Sequence, residues 1–203
     1  MTGRASTSSS FQYHFTYDVF LNFRGKDTRP GFTGSLYHAL DQKGIHTFFD
    51  DEEIRKGDEI APRLDRAIEE SRMAICVFSK DYASSTFCLN ELVKIHQSIK
   101  KNGRLVWPIF YDVEPAEVRH QKGNYGQALS VHKQDLRADE EKLQSWKLAL
   151  REVANLSGTH VTPGHDYEYK TIERIVKEIF CKINRGPLHV AEYPVGLDIR
   201  FQK

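Results

Sequence analysis

Residues 73–79 read MAICVFS, a run of six apolar side chains that ends in a serine. A strand with one face in water alternates apolar and polar side chains, whereas a strand covered on both faces is apolar throughout. The run therefore predicts a central strand in a parallel sheet that is covered by helices on both faces.

On either side of this strand, further apolar runs alternate with helical patterns of about 12 residues. Such alternation is typical of βαβ units, whose right-handed crossovers join parallel strands. We therefore predict an α/β fold, a flavodoxin-like doubly wound parallel sheet of five strands with helices on both faces. Pro108 lacks a backbone N–H and favours an unusual or edge-like position for its strand. The pattern places strands at residues 17–23, 45–49, 73–79 and 105–111, and helices at residues 32–43, 59–72, 86–101, 125–134, 140–156 and 167–184.

The two ends of the chain lack this periodicity. Residues 1–16 are rich in Ser and Thr and predict a mobile, disordered leader. Residues 185–203 contain a Gly-Pro pair and further Pro and Gly residues without an amphipathic period, which predicts a linker. The folded domain is therefore expected at residues 17–184.

Composition excludes several classes of protein. The 203 residues include 29 basic and 28 acidic side chains, so no bulk charge attracts nucleic acid, and a nucleic acid partner is disfavoured. Three widely spaced cysteines indicate a reducing compartment and not a disulfide framework. No apolar run approaches the roughly 20 residues of a membrane span, and the N-terminus does not resemble a signal peptide. We expect a cytoplasmic or nuclear protein without a membrane anchor.

In an open parallel sheet, ligands bind at the carboxyl ends of the strands. In residues 24–31, Arg24 is a candidate contact for an anion or a ribose phosphate. The alternative is that Asp27 caps the next helix while Arg24 and Arg29 lie on the surface. The glycines do not have the spacing of a dinucleotide fingerprint or a P-loop. Four loops are predicted at this edge, at residues 24–31, 50–58, 80–85 and 112–124.

The loop at residues 50–58 reads DDEEIRKGD and is long for a connection between a strand and a helix. Its acidic residues could suggest Mg²⁺, but Arg55 and Lys56 would compete with the cation, so no metal site is predicted. The remaining alternatives are a functional loop and a solvated mobile loop.

Glu91 lies near the start of the helix predicted at residues 86–101, on the same face as Phe87, Cys88 and Ile95. Desolvation would raise the pKa of its carboxyl group and the helix dipole would lower it, so the sequence leaves its protonation state open. Glu91 is either a functional carboxylate or a glutamate of the capping region. Cys88 has no His near it in the sequence, which favours a packing role over nucleophilic catalysis.

Several segments together identify a family. The chain resembles, over residues 17–184, the plant Toll/interleukin-1 receptor (TIR) domain that begins many nucleotide-binding, leucine-rich-repeat immune receptors. This resemblance implies the flavodoxin-like fold, and it implies that residues 185–203 lead toward an absent nucleotide-binding domain. The segments are YDVFLNFRGKDTR at 17–29, GIHTFFDD at 44–51, AIEESR at 67–72, FCLNEL at 87–92, PIFYDVEP at 108–115, VR at 118–119 and ANLSG at 154–158. Beyond them, VGLD at 195–198 resembles the lead-in to the nucleotide-binding module of such receptors.

The resemblance also implies an activity. Self-associated plant TIR domains are NAD⁺ nucleosidases, which release nicotinamide and ADP-ribose-type signals that act through downstream proteins in defence and cell death. NAD⁺ is the substrate, and no cofactor or metal is implied. Glu91 matches the catalytic glutamate, expected to hold the nicotinamide ribose and to stabilise an oxocarbenium-like transition state. Phe87 stands where a tryptophan is usual. The implied substrate-binding residues are Arg24, Gly25, Asp50, Arg55, Ser85 and Phe87.

Partners follow from the same resemblance. Residues 50–58, with Lys56 and Gly57, resemble the family's BB loop, which reaches a neighbouring subunit, so the expected partners are further copies of this chain and other TIR domains. Gly34 and Ser35 stand where some relatives carry a Ser-His self-association pair. The alternative function is a non-catalytic TIR–TIR interaction module. A phosphoacceptor receiver domain is disfavoured, because Ser79 and Lys80 follow the third strand where that class needs an acid.

Overall fold

A computed structural model describes residues 15–49, 60–135, 139–164 and 167–184. Five parallel strands form one sheet in the order β2-β1-β3-β4-β5. The α/β fold class predicted from the sequence is confirmed. The strands are Tyr17–Phe23 (β1), Thr47–Phe48 (β2), Ser71–Phe78 (β3), Leu105–Tyr111 (β4) and Thr159–Val161 (β5).

Helices cover both faces of this sheet. One turn of π-helix, Arg29–Thr33, joins the first two helices, and a 3₁₀ turn, Tyr82–Ser84, precedes the fourth. The α-helices are Gly25–Thr28 (α1), Gly34–Gln42 (α2), Ile60–Glu69 (α3), Thr86–Asn102 (α4), Pro115–His120 (α5), Gly123–Asp135 (α6), Glu140–Ala154 (α7) and Glu168–Asn184 (α8).

Strand β3 lies at the centre of the sheet, and this position accounts for its continuous apolar sequence. Ala74, Cys76 and Phe78 point into the core layer that α3, α4 and α7 cover. The alternate residues, including Ile75 and Val77, point into the layer that α2 and α8 cover. Both sets are buried, so the stretch of β3 from Met73 to Phe78 is apolar on both faces.

Strand β4 is internal, so the edge-like position predicted from Pro108 is wrong. The pairing of β4 with β5 begins at Ile109 and Thr159, one residue after Pro108. Pro108 lies beside Gly158 instead, and a Cβ atom at Gly158 would clash with the carbonyl oxygen of Pro108. An internal strand accepts this proline because its neighbour β5 is only three residues long and starts beyond it.

Two of the predicted loops contain helix. The segment expected as a loop at residues 24–31 forms α1 and most of the π-helical turn. The segment at residues 112–124 contains α5, which begins at a proline in the first helical position. These pieces are only four to six residues long, too short to show an amphipathic period.

The predicted leader and linker, on either side of the domain, lie largely beyond the described residues. This applies to residues 1–14 of the leader and to the whole linker at 185–203. Thr16 is described, and its backbone N–H donates to the Glu70 carbonyl oxygen at 2.9 Å while its hydroxyl donates to the Glu70 carboxylate at 2.7 Å. Thr16 is therefore attached to the end of α3.

Candidate active site

Helix α4 begins at the carboxyl edge of the sheet. Ser85 is its N-cap, with an extended backbone, and its hydroxyl accepts a hydrogen bond from the Cys88 N–H at 3.3 Å. The buried Cys88 thiol donates to the carbonyl oxygen of Phe23, the last residue of β1, at 3.3 Å. The first turn of α4 is thereby docked on the end of β1.

One turn further along α4, Glu91 is half-buried. Its Oε2 accepts a hydrogen bond from Nδ2 of Asn22 at 2.7 Å. Asn22 is fully buried in β1. The sequence reasoning missed Asn22, although a lone amide inside the apolar run VFLNF is a signal that could have identified it.

Tyr82 completes a buried polar cluster beneath Glu91. Its hydroxyl lies within hydrogen-bonding distance of Oδ1 of Asn22 and at 3.1 Å from the carbonyl oxygen of Cys88. Burial raises the pKa of the Tyr82 phenol well above its ordinary value, and the neighbouring Cys88, Cys76 and Glu91 raise it further. Tyr82 therefore stays protonated and can donate.

The Cys76 thiol near this cluster is not activated. Burial raises the pKa of Cys76, and the charge of Glu91 adds to the effect. Cys88 is buried with its thiol turned to the backbone of β1. Both positions fit the packing role expected for a cysteine in an apolar interior.

Arg24 is half-buried at the end of β1 and pairs with Asp27. The Asp27 carboxylate also accepts a hydrogen bond from the hydroxyl of Ser79, directly after β3. Asp27 therefore ties the ends of two neighbouring strands together. In the alternative interpretation, Asp27 caps the next helix while Arg24 and Arg29 lie on the surface. The cap is wrong, since Asp27 lies within α1 and α2 has no side-chain cap.

The other residues that the family resemblance places in the substrate pocket differ in exposure and in hydrogen bonding. Phe87, in the first turn of α4, is 71% exposed, so its ring is available for stacking. Gly25 is buried at the start of α1, and the Ser85 hydroxyl is already used as a cap. Asp50 and Arg55, and the loop residues Lys56 and Gly57, lie outside the described residues.

The residues expected at a self-association surface lie at the start of α2. Ser35 is exposed. Gly34 follows the π-helical turn, and a Cβ atom there would clash with the carbonyl oxygen of Arg29. The backbone thus requires glycine at position 34, whatever the surface around it contacts.

The opposite edge of the sheet holds a cavity of about 290 Å³. Trp107 of β4 and Gly158 line one side, and Arg174, Glu178 and Lys182 of α8 line the other. Glu178 pairs with Arg174 at 3.1 Å, and the Lys182 ammonium lies 5.2 Å from the Trp107 ring centre. This cavity lies at the amino ends of the strands, away from Glu91.

Two further features of the described segments concern metal-binding groups and membrane-spanning helices. Within the described segments, no three His, Cys, Asp or Glu side chains are grouped so that they could hold a metal ion. Nor does any helix in those segments have the length and apolar character needed to cross a membrane.

Comparison with known proteins places these observations in a family. The model of the TIR domain family matches residues 16–193. Disease resistance protein RPV1 of Vitis rotundifolia is 46% identical over 198 residues, which are 96% of this chain and 14% of the relative. TMV resistance protein N of Nicotiana glutinosa is 44% identical over 203 residues, 98% of this chain and 17% of the relative. The chain thus spans a small part of these curated relatives.

Solved structures agree. The TIR domains of the activated Roq1 resistosome, which directly recognises the pathogen effector XopQ, are 50% identical with a TM-score of 0.73, covering 81% of this chain and all of that chain. The TIR heterodimer of RPS4 and RRS1 shares the fold, with a TM-score of 0.51 at 18% identity, over 82% of this chain and 97% of that one. The chain therefore belongs to the TIR domain family, in the form that plant disease resistance proteins carry.

Proposed function

We propose that this domain is an NAD⁺ nucleosidase that becomes active when copies of the chain associate, and that Glu91 is its catalytic residue. The observation that carries the proposal is the position of Glu91. Its carboxylate is half-buried at the carboxyl edge of the sheet, where open α/β folds bind ligands, and is held there by a buried amide.

The reaction needs little from the protein beyond charge and orientation. When the bond between the ribose C1′ and the nicotinamide nitrogen breaks, its electron pair moves to the nitrogen and neutralises the ring, and the ribosyl group becomes an oxocarbenium ion. A carboxylate beside the ribose holds its hydroxyls and stabilises the developing positive charge. Water then adds at C1′ and loses a proton, which gives ADP-ribose.

Other residues have proposed roles around this centre. Arg24 supplies a positive charge at the end of β1, fixed by Asp27, for a ribose or phosphate oxygen of the substrate. The exposed ring of Phe87 stacks on a planar ring of NAD⁺. Asp50 and Arg55 would complete the pocket, with Lys56 and Gly57 reaching a neighbouring copy. Products of the reaction would carry the defence signal to downstream proteins.

A second candidate is a non-catalytic TIR–TIR interaction module. In its favour, two polar side chains at the carboxyl edge already have partners within the chain and so are not left free for a substrate. Arg24 is paired with Asp27, and the Ser85 hydroxyl caps α4. The Roq1 TIR domains and the RPS4–RRS1 pair likewise occur in assemblies.

The test is nicotinamide release from NAD⁺, measured over a dilution series of the chain. If association completes the site, the rate per copy rises with protein concentration. The chain should also be measured when fused to an oligomerising coiled coil, which raises its local concentration. Glu91→Ala should lower the rate by about 100-fold or more at every concentration, as expected for loss of the main charge that stabilises the transition state.

Two results would decide for the interaction module. One is the absence of nicotinamide release from the parent chain even in the fused, assembled form. The other is an equal rate from the parent and Glu91→Ala, which would assign any observed release to a contaminating activity.

A further inference from the structure

We infer that Asn22 and Tyr82 are positioning residues, which act in series to orient the Glu91 carboxylate at the carboxyl edge of the sheet. This inference rests on the proposed function, because it concerns the same carboxylate. Neither residue lies where substrate would touch it, since both are fully buried. Their effect on the reaction must therefore pass through Glu91.

The first step is the orientation of the Asn22 amide. A side-chain amide can present either its oxygen or its NH₂ group to a given neighbour. The NH₂ group of Asn22 lies toward α4, against the carbonyl oxygen of Cys88 and the carboxylate of Glu91, because a carbonyl oxygen can only accept. Oδ1 of Asn22 therefore faces Tyr82, and the protonated Tyr82 hydroxyl donates to it.

The second step is the contact with the carboxylate. Nδ2 of Asn22 donates to Oε2 of Glu91 at 2.7 Å, and it also lies 3.4 Å from the carbonyl oxygen of Cys88. A hydrogen bond from a neutral donor to a carboxylate favours the ionised form. The amide therefore orients the Glu91 carboxylate and favours its ionised form, and the contact with Cys88 ties the amide to the first turn of α4.

Packing alone does not explain these polar groups. The other residues in the last part of β1 are buried apolar side chains, and the Tyr82 ring packs edge-on to Phe78 with ring centres 5.0 Å apart. A buried amide and hydroxyl add desolvation cost that an apolar pair of similar volume would avoid. Their mutual bonds offset that cost, and the chain of bonds ends on Glu91.

The experiment compares Asn22→Leu and Tyr82→Phe with the parent chain. The readouts are the pKa of Glu91, from NMR of its labelled carboxyl carbon, and the dependence of kcat and KM on pH. Loss of the donor should raise the pKa of Glu91 and move the acid limb of kcat to higher pH. At neutral pH kcat should fall about 10- to 100-fold with little change in KM, and alkaline pH should restore part of it.

Tyr82→Phe should show the same changes at smaller size, since it removes the support of the amide and not the amide itself. This variant keeps the aromatic ring, so it also guards against failure of Asn22→Leu to fold. The matched control is Thr159→Val. It removes a hydroxyl that accepts from Nε1 of buried Trp107 at 3.2 Å, at the amino edge, and should change neither the Glu91 pKa nor the pH profile.

The inference is overturned if the Glu91 pKa is the same in the parent, Asn22→Leu and Tyr82→Phe. It is also overturned if the pKa moves but the pH profile of an active enzyme does not. The proposed function fails in a different way, by the absence of nicotinamide release from the assembled parent. In that case the NMR comparison still reports whether Asn22 and Tyr82 hold the carboxylate.

Discussion

The two edges of the sheet are built differently. At the carboxyl edge, buried side chains are joined by hydrogen bonds that cross between elements, from Tyr82 to Asn22 and from Asn22 to Glu91. At the amino edge, β4 and β5 approach closely at Pro108 and Gly158, and Trp107 bonds to Thr159 within the sheet. The first edge holds a carboxylate in place, and the second holds strands together.

This contrast separates groups that serve the fold from groups with a proposed role in the chemistry. The cavity of about 290 Å³ lies at the amino edge, where the charged side chains of α8 pair with one another or with an aromatic ring. The candidate catalytic carboxylate lies at the other edge. Substitutions at the two edges should therefore change different measurements.

The largest expected effect is on the rate. Glu91→Gln keeps the size of the side chain and an oxygen that can accept from Asn22, but it removes the negative charge. Nicotinamide release should fall by about 100-fold or more, which corresponds to roughly 3 kcal/mol of transition-state stabilisation. The free energy of unfolding should change by less than about 1 kcal/mol, because the hydrogen bond is retained.

Glu178→Gln is the matched variant at the amino edge. Its carboxylate pairs with Arg174 on the partly exposed face of α8, so its loss should leave both rate and stability close to those of the parent. If Glu91→Gln and Glu178→Gln lowered the rate equally, the two edges would not differ in their contribution to the reaction.

The next effect is on stability. In Gly158→Ala, the added methyl group meets the backbone carbonyl of Pro108, which cannot move without separating β4 from β5. The free energy of unfolding should fall by about 2 to 3 kcal/mol, as for other overpacked sites, and chemical denaturation would measure it. Ser157→Ala, at the exposed preceding residue, is the control and should cost less than about 0.5 kcal/mol.

The amino-acid sequence predicted the sheet better than its connections. The continuous apolar run of β3 reports burial on two faces, a property of the strand itself, and so the parallel architecture followed from it. The internal position of β4 could not be predicted in this way, because an internal strand can hold Pro108 only if β5 begins after it. Strand β5, with three residues, carries too little pattern to be placed from sequence.

The site was predicted in a similarly uneven way. Glu91 was singled out from its place on an apolar helix face, and its proposed role comes from resemblance to a family. Asn22 and Tyr82, 60 positions apart in the sequence, form a contact that only the folded chain creates. The bond from Ser79 to Asp27 likewise joins the residue after β3 to α1, which no local pattern connects.

A smaller effect concerns a single buried hydrogen bond. Thr159→Val leaves the indole N–H of Trp107 without its acceptor, since the two are 3.2 Å apart and both residues are buried. The free energy of unfolding should fall by about 1 to 2 kcal/mol with an unchanged rate of nicotinamide release. A changed rate would mean that the amino edge also contributes to the site.

The smallest effect is a dependence of stability on pH through His96, a residue in the middle of α4. His96 is buried on α4, and its Nε2 has no hydrogen-bond partner among the described residues. Burial lowers its pKa, Lys100 lowers it further, and Glu152 opposes them. The folded chain therefore binds the proton less readily than the unfolded chain, whose imidazole has an ordinary pKa near 6.5. Stability should fall as the pH drops below about 6.5, by at most about 1.4 kcal/mol per pH unit for one proton.

Denaturation of His96→Gln at several pH values should show a shallower loss of stability on acidification, because the buried group no longer takes up a proton. His38→Gln, which removes an exposed imidazole from α2, should retain the slope of the parent. If both variants keep that slope, the acid sensitivity of the chain comes from other groups.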